Sequence, residues 1–176
     1  MTATKTIGPV EIRAAITRLA DAISTRHADR TRLLLLGIAN GGVELARRLA
    51  RQVGARAGTI DISFHRDDIG RHPIPKEFAP TQIPADVHGA TVILVDDVLF
   101  SGRTVKAALD EIFDHGRPTK VELAVLVDRG GRRLPLAPDY LGFTLPATDR
   151  EKVVVTLDAA NSRRDLIRVL PATSKT

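Results

Sequence analysis

Residues 92–104 read VILVDDVLFSGRT. Four apolar residues describe a strand buried on both faces, and two adjacent carboxylates stand where that strand is expected to end, over residues 91–95. A short turn then opens a helix over residues 104–115, with Val105, Ala108, Leu109, Ile112 and Phe113 turned inward. The C-terminal edge of a parallel sheet is where open α/β proteins take their ligands. Free amides at the start of the helix, with the hydroxyls of Ser101 and Thr104, make an anion site. Gly102 lets the backbone approach that anion without a Cβ in the way. Asp96 and Asp97 can accept hydrogen bonds from vicinal hydroxyls or bind a divalent cation. Phosphate at one end and a diol at the other describe a phosphorylated ribose. The turn has neither the Gly-Lys-Ser/Thr ending of a Walker loop nor the dinucleotide glycine fingerprint.

Outward from this segment, strand and helix alternate. Ile12, Ile16, Leu19 and Ile23 place one apolar stripe on a helix over residues 10–27. Leu33–Ile38 is an apolar run too short for a globular helix and fits a buried parallel strand. Val43, Ala46, Leu49 and Ala50 return to helical spacing over residues 43–52. Further strands are expected at 59–64, 121–127, 140–145 and 152–157, with Gly116 and Pro118 stopping the helix between. Residues 65–89 carry four prolines and no periodicity. So long an irregular stretch is uncommon inside a compact domain and is often a functional loop. The pattern predicts an α/β fold, a central, mostly parallel sheet flanked by helices, within a single domain spanning 1–176. Residues 10–158 form its core, and residues 171–176 are expected to be a mobile tail.

Composition narrows the function. At 176 residues, 43% hydrophobic and 27% charged, the chain is of ordinary globular make-up and not a disordered tail or a repeat. It has no cysteine, which excludes disulfides, thiolate metal sites and a Cys nucleophile. The net charge is +5, carried by 20 Arg and 6 Lys, and arginine suits phosphate-bearing partners. Six aromatic residues are too few for a base-stacking platform. The opening residues MTATKTIGPV lack the apolar run of a signal peptide, and no stretch approaches the ~18–20 apolar residues of a membrane span. A cytoplasmic location with no membrane partner is therefore expected. His27, His65, His72, His88 and His115 show no metal-ligand spacing and read as surface or loop residues. Arg163, Arg164 and Asp165 read as a solvated face.

The order apolar strand, Asp-Asp, small hydroxyl, Gly-x-Thr resembles the phosphoribosyl pyrophosphate (PRPP) signature of the type I phosphoribosyltransferases. The likeness extends over residues 92–136, VILVDDVLFSGRTVKAALDEIFDHGRPTKVELAVLVDRGGRRLPL. That run is similar to the PyrR family, the pyrimidine-operon attenuator proteins that double as uracil phosphoribosyltransferases. Residues 61–68, DISFHRDD, resemble that family's strand into its flexible loop, residues 12–26 its first helix, and residues 141–157 its closing strands. The resemblance implies a type I phosphoribosyltransferase fold with a flexible loop and hood. The implied reaction converts uracil and PRPP to UMP and pyrophosphate with Mg²⁺.

Carried over, Asp96 and Asp97 hold the ribose hydroxyls, and reach Mg²⁺ only indirectly, through PRPP. Ser101, Gly102, Arg103 and Thr104 cradle the 5′-phosphate, and Ala39, Asn40, Gly41 and Gly42 form the pyrophosphate loop. Arg66 reaches pyrophosphate from a loop over residues 66–82, while Val127, Asp128 and Arg129 lie at the base. No side chain stands out as a strong base, so Asp97 is expected to act electrostatically. The family's second partner is an mRNA leader hairpin, with Thr17, Arg18, Arg26 and Arg132 at matching positions. A homodimer or larger homo-oligomer is implied as well.

Two departures bear on these expectations. The family's pyrophosphate loop usually reads Arg-Thr-Arg-Gly, whereas residues 39–42 read Ala-Asn-Gly-Gly. A Gly-Gly ending is familiar from hypoxanthine-guanine phosphoribosyltransferases, which leaves another base such as a purine as an alternative. On the RNA face, Asp21, Ala137 and Phe143 replace cations usual in the family, and each lost phosphate contact lowers salt-dependent affinity. A further alternative is a nucleotide-sensing, RNA-binding regulator with weak or no catalysis.

Overall fold

In a computed structural model, which describes residues 5–63 and 80–172, the chain runs β1 (Thr6–Ile7), α1 (Pro9–Arg26), β2 (Leu33–Ile38), α2 (Gly41–Val53) and β3 (Arg56–Ile60). It continues through β4 (Thr91–Leu99), α3 (Arg103–His115), β5 (Lys120–Asp128), β6 (Tyr140–Thr144), β7 (Glu151–Thr156), a 3-10 turn at Ser162–Arg164 and β8 (Leu166–Pro171). Five strands form a parallel sheet in the order β3-β2-β4-β5-β6. β1, β8 and β7 form a second, antiparallel sheet.

The apolar runs dictate this layering. All six residues of β2 are buried. Leu33 and Leu35 join the cluster beneath α1 and α2, whereas Leu34 and Leu36 join the one beneath α3. Successive side chains of a strand point to opposite faces, so a strand with helices on both sides needs apolar residues at every position. Ile12, Ile16, Leu19 and Ile23 are the buried stripe of α1, as their spacing predicts. Gly54, at φ +75°, closes α2 in a left-handed cap that other residues adopt at a cost.

Several expectations change. The third apolar strand does not stop at residue 95 but reaches Leu99, so Asp96 and Asp97 lie within it. Pairing with β2 ends at Val95, whereas pairing with β5 continues through Asp96, Val98 and Leu99. One edge of the strand is thus freed where the carboxylates stand. The strand expected at 59–64 lies at Arg56–Ile60. Phe113, expected inward, is exposed at the flank of α3, with the Arg117 guanidinium 5.5 Å from its ring centre. Asp165 is buried rather than solvated, because Arg48 of α2 binds it. His27 is not a simple surface residue, since it contacts the buried Glu122. β1 and β8 were not expected at all. Among the described residues no helix is long and apolar enough to cross a membrane.

Candidate active site

The site begins where α2 meets the C-terminal edge of the sheet. A Cβ on Gly42 would lie 2.0 Å from the Val95 carbonyl oxygen, and one on Gly37 would lie 2.6 Å from the Val43 Cα. Backbone is therefore packed on backbone, and only glycine fits. At Gly41 the neighbour is a functional group: a Cβ there would lie 2.5 Å from Oδ1 of Asp97. The Asp97 carboxylate thus rests on the N-terminal turn of α2, where the helix dipole favours negative charge. The peptide bond between Ala39 and Asn40 is cis.

Asp96 is buried, and its Oδ1 accepts a hydrogen bond from the Asp97 amide at 2.9 Å. Burial, with the neighbouring Asp97 charge second, pushes the Asp96 carboxyl well above the usual carboxylate range. Burial raises Asp97 too, against hydrogen bonds that lower it. Two carboxylates this close resist simultaneous ionisation. A cavity of about 310 Å³ opens beside Asp97, lined by Asn40, Gly41 and Glu44 on one side and residues 155–157 on the other. β7 thereby brings the second sheet over the C-terminal edge of the first.

The turn after β4 is held from below. Gly102, at φ +92°, is the N-cap of α3 and offers no side-chain cap, so the first-turn amides other than that of Arg103 stay open to an anion. The Ser101 hydroxyl accepts from the Arg103 amide, and the Ser101 carbonyl accepts from the amides of Arg133 and Leu134. Leu134 and Leu136 lie beneath Gly102. Arg132 donates to the carbonyls of Phe100 and Leu136 and pairs with Asp128 at 2.6 Å. Arg129 stacks 4.0 Å from the Phe100 ring centre and donates to the carbonyls of Ala147, Thr148 and Glu151. Its buried Nε has no partner among the described residues. Residues 128–136 are thus a brace around the 100–104 turn, a role the sequence reading did not assign to them.

The other expected residues fall into three groups. Val127 is buried in β5, Asp128 ends that strand, and Arg129 spans from it to the 147–151 segment. On α1, Thr17, Arg18 and Asp21 are exposed. Arg18 reaches the Gly142 carbonyl at 3.5 Å. Arg26 is 3.4 Å from Glu122 and 3.5 Å from Asp139, with its guanidinium 4.9 Å from the Tyr140 ring centre. Ala137 is exposed and Phe143 partly so. Arg66, His65 and His72 lie outside the described residues, as do most of the loop expected over 66–82 and the tail beyond residue 172.

Two features escaped the sequence reading. Glu44 lines the Asp97 cavity, and its place in the first turn after Gly41-Gly42 was the available signal. Glu122 is fully buried within β5, bonded to Tyr140 at 2.7 Å, His27 at 2.8 Å and Lys120 at 2.6 Å. Burial alone would raise this carboxyl, but hydrogen bonds from Lys120, Tyr140 and His27 outweigh it and bring it to about 2. A charged residue inside an otherwise apolar strand was the sign. Among the described residues no three His, Cys, Asp or Glu side chains converge on a metal position. Mg²⁺ needs only one or two carboxylates when waters and substrate phosphates complete its shell. Asp97, which opens on the cavity, fits that demand, whereas Asp96 stands buried behind it.

Comparison with known proteins places this fold among relatives. Residues 9–160 match the phosphoribosyl transferase domain. The chain is 43% identical over 162 residues to the bifunctional protein PyrR of Geobacter sulfurreducens, covering 89% of this chain and 92% of that protein. It is 49% identical over 163 residues to that of Streptomyces coelicolor, covering 89% and 83%. Among solved structures, a hypoxanthine-guanine phosphoribosyltransferase from Bacillus anthracis superposes with a TM-score of 0.69 at 22% identity, covering 93% of this chain and 96% of that one. The Trypanosoma cruzi hypoxanthine phosphoribosyltransferase superposes at 0.67 and 21% identity, covering 94% and 95%. These structures share the fold. The sequence relatives go further: the chain is a phosphoribosyltransferase and belongs to the PyrR family.

Proposed function

We propose that the chain transfers the phosphoribosyl group of PRPP to N1 of uracil, giving UMP and pyrophosphate. The observation that carries this reading is the convergence of Asp97, the Gly41-Gly42 turn and the open N-terminus of α3 at one sheet edge. The amides after Gly102, with Ser101, Arg103 and Thr104, bind the 5′-phosphate. Asp97, and Asp96 behind it, accept hydrogen bonds from the ribose hydroxyls. The amides of residues 39–42 bind the pyrophosphate. Breaking the bond between C1 and pyrophosphate leaves positive charge on the ribose ring, which a nearby carboxylate stabilises. Bound Mg²⁺ supplies neutralisation of the pyrophosphate charge. Val127, Asp128 and Arg129 stand at the base end. Arg129 is committed to carbonyls and to Phe100, so backbone groups are the donors and acceptors left for base edges. Arg66 is assigned to the pyrophosphate end.

Within the same proposal, residues 1–176 act as one domain, as a homodimer or larger homo-oligomer in the cytoplasm. The chain also binds an mRNA leader hairpin through the exposed face of α1. Of the residues expected to meet the hairpin, Arg26 and Arg132 are already held by Glu122, Asp139 and Asp128. One observation favours a second reading. Glycine at position 41, where the family usually has arginine, is the residue on which the Asp97 carboxylate rests, and a Gly-Gly loop suits a purine enzyme. A panel of nucleobases incubated with PRPP and Mg²⁺ separates the two. Nucleotide formation with uracil is expected, and turnover restricted to purines would replace the uracil assignment.

A further inference from the structure

A second cavity, about 370 Å³, lies between α1, α2 and the 158–162 turn. Arg13, Arg47, Arg48 and Arg51 line it, against the two carboxylates of Glu44 and Asp158. Both carboxylates are already engaged. Glu44 binds Arg47 at 2.6 Å and Arg48 at 2.7 Å, while Oδ1 of Asp158 accepts from the amides of Ala160 and Asn161. Arg48 is fixed from the other side by Asp165 and the Asp158 carbonyl. Arg13 and Arg51 have no hydrogen-bond or ion-pair partner among the described residues. Arg47 and Arg51 stand four residues apart on one helix, a spacing at which like charges repel. Arg13 faces them from α1, on the flank of that helix opposite Arg18. Positive charge in excess of its carboxylates around a concavity, with Arg13 and Arg51 left over, is the footprint of an anion site.

We propose that this cleft binds the phosphates of a nucleotide-sized phosphate ester and that its occupancy weakens PRPP binding at the neighbouring site. The volume lies within the range of small-molecule pockets, and Ile16 and Ala160 give it an apolar wall for the rest of such a ligand. The concavity fits a compact ligand better than an RNA duplex, which needs an extended basic face. Glu44 is the link, because it lines both this cavity and the one beside Asp97. A phosphate that takes Arg47 away from Glu44 leaves carboxylate charge less neutralised next to the pyrophosphate end. The regulatory half of this inference rests on the proposed placement of pyrophosphate, whereas the binding half does not.

The probe is ATP, titrated calorimetrically at fixed free Mg²⁺ into the wild type, Arg13→Ala/Arg51→Ala and Ser101→Ala/Thr104→Ala. Both arginines are exposed, so the first variant keeps its core, and its thermal melting checks this. ATP affinity is expected to survive in the hydroxyl variant and to fall about tenfold or more in the arginine variant. ATP should raise KM for PRPP at unchanged kcat in the wild type and much less in the arginine variant. Equal ATP affinity in the wild type and the arginine variant overturns the site. So does an arginine variant that loses affinity for a hairpin RNA while wild-type ATP binding is undetectable, which would make the cleft an RNA surface. If ATP binds as expected but wild-type enzyme converts no base with PRPP, the proposed function fails while the site stands.

Discussion

Asp96 and Glu122 are both buried carboxylates, yet their surroundings push them in opposite directions. Asp96 is held above its ordinary value by burial first and the Asp97 charge second, so the folded protein binds its proton more tightly than the unfolded chain does. Its contribution to stability is full below the ordinary value of 3.8 and is lost as pH rises through the raised value. Asp96→Asn should therefore melt higher than wild type at pH 8 while losing activity, a trade-off usual at functional sites. Thermal melting and turnover measured on the same preparation check this. Glu122 has the reverse sign. Its contribution is present above 4.5 and lost as pH falls toward about 2. The shift corresponds to about 3 kcal/mol. Urea unfolding at pH 7 and pH 3 should show Glu122→Gln less stable at pH 7, with the gap to wild type closing at pH 3. A gap that persists unchanged would mean packing rather than charge makes Glu122 matter. Arg132, expected at the RNA face, is also a strut under the 100–104 turn. Arg132→Met strands the Phe100 carbonyl and Asp128, and KM for PRPP should rise about tenfold with a smaller change in kcat. Unchanged KM would show that Arg132 does not brace the turn.

Between elements, the decisive contact is the N-terminal turn of α2 against β4. Gly41 and Gly42 are adjacent, but a methyl group meets different things at each: a movable carboxylate at 41 and the Val95 carbonyl at 42. Gly42→Ala should cost about 3 kcal/mol or prevent folding, because backbone must shift. Gly41→Ala should keep most of the stability and lose activity, because Asp97 swings from its seat. Equilibrium unfolding beside PRPP turnover distinguishes them, and comparable stability losses at both positions would contradict this reading. Here the sequence was partly legible. Gly-Gly after an apolar strand signalled a tight strand-to-helix turn, and Asp-Asp before Ser-Gly-Arg-Thr signalled the opposite wall. That Asp97 touches Gly41 was not readable, since it depends on the parallel pairing of β2 with β4. The length of β4 was misjudged for a related reason. Carboxylates look like the end of a strand, but pairing with β5 carries the strand on to Leu99.

At the scale of the whole molecule, the five-stranded sheet followed from apolar runs flanked by helical spacing, because burial on both faces leaves a continuous signature. The second sheet did not. β1 has two residues, and β8 alternates buried Ile167 with exposed Arg168 too briefly to stand out. β7, expected at 152–157, reaches the Asp97 cavity, but the strands that hold it there, β1 and β8, were not legible. The net charge of +5 likewise reads differently once located. Arg48, Arg129 and Arg132 are struts, and Arg26 is paired, whereas Arg13 and Arg51 face an anion-sized cleft. The proposed chemistry makes the edge bearing Asp97 a phosphoribosyl-transfer site for uracil. Its most direct test is pyrophosphate release from PRPP with and without uracil, by wild type and Asp97→Asn side by side. Uracil-dependent release matched by UMP is expected in the wild type, and a loss of about 100-fold or more in the variant. Release that ignores uracil, or a variant as fast as wild type, would contradict it.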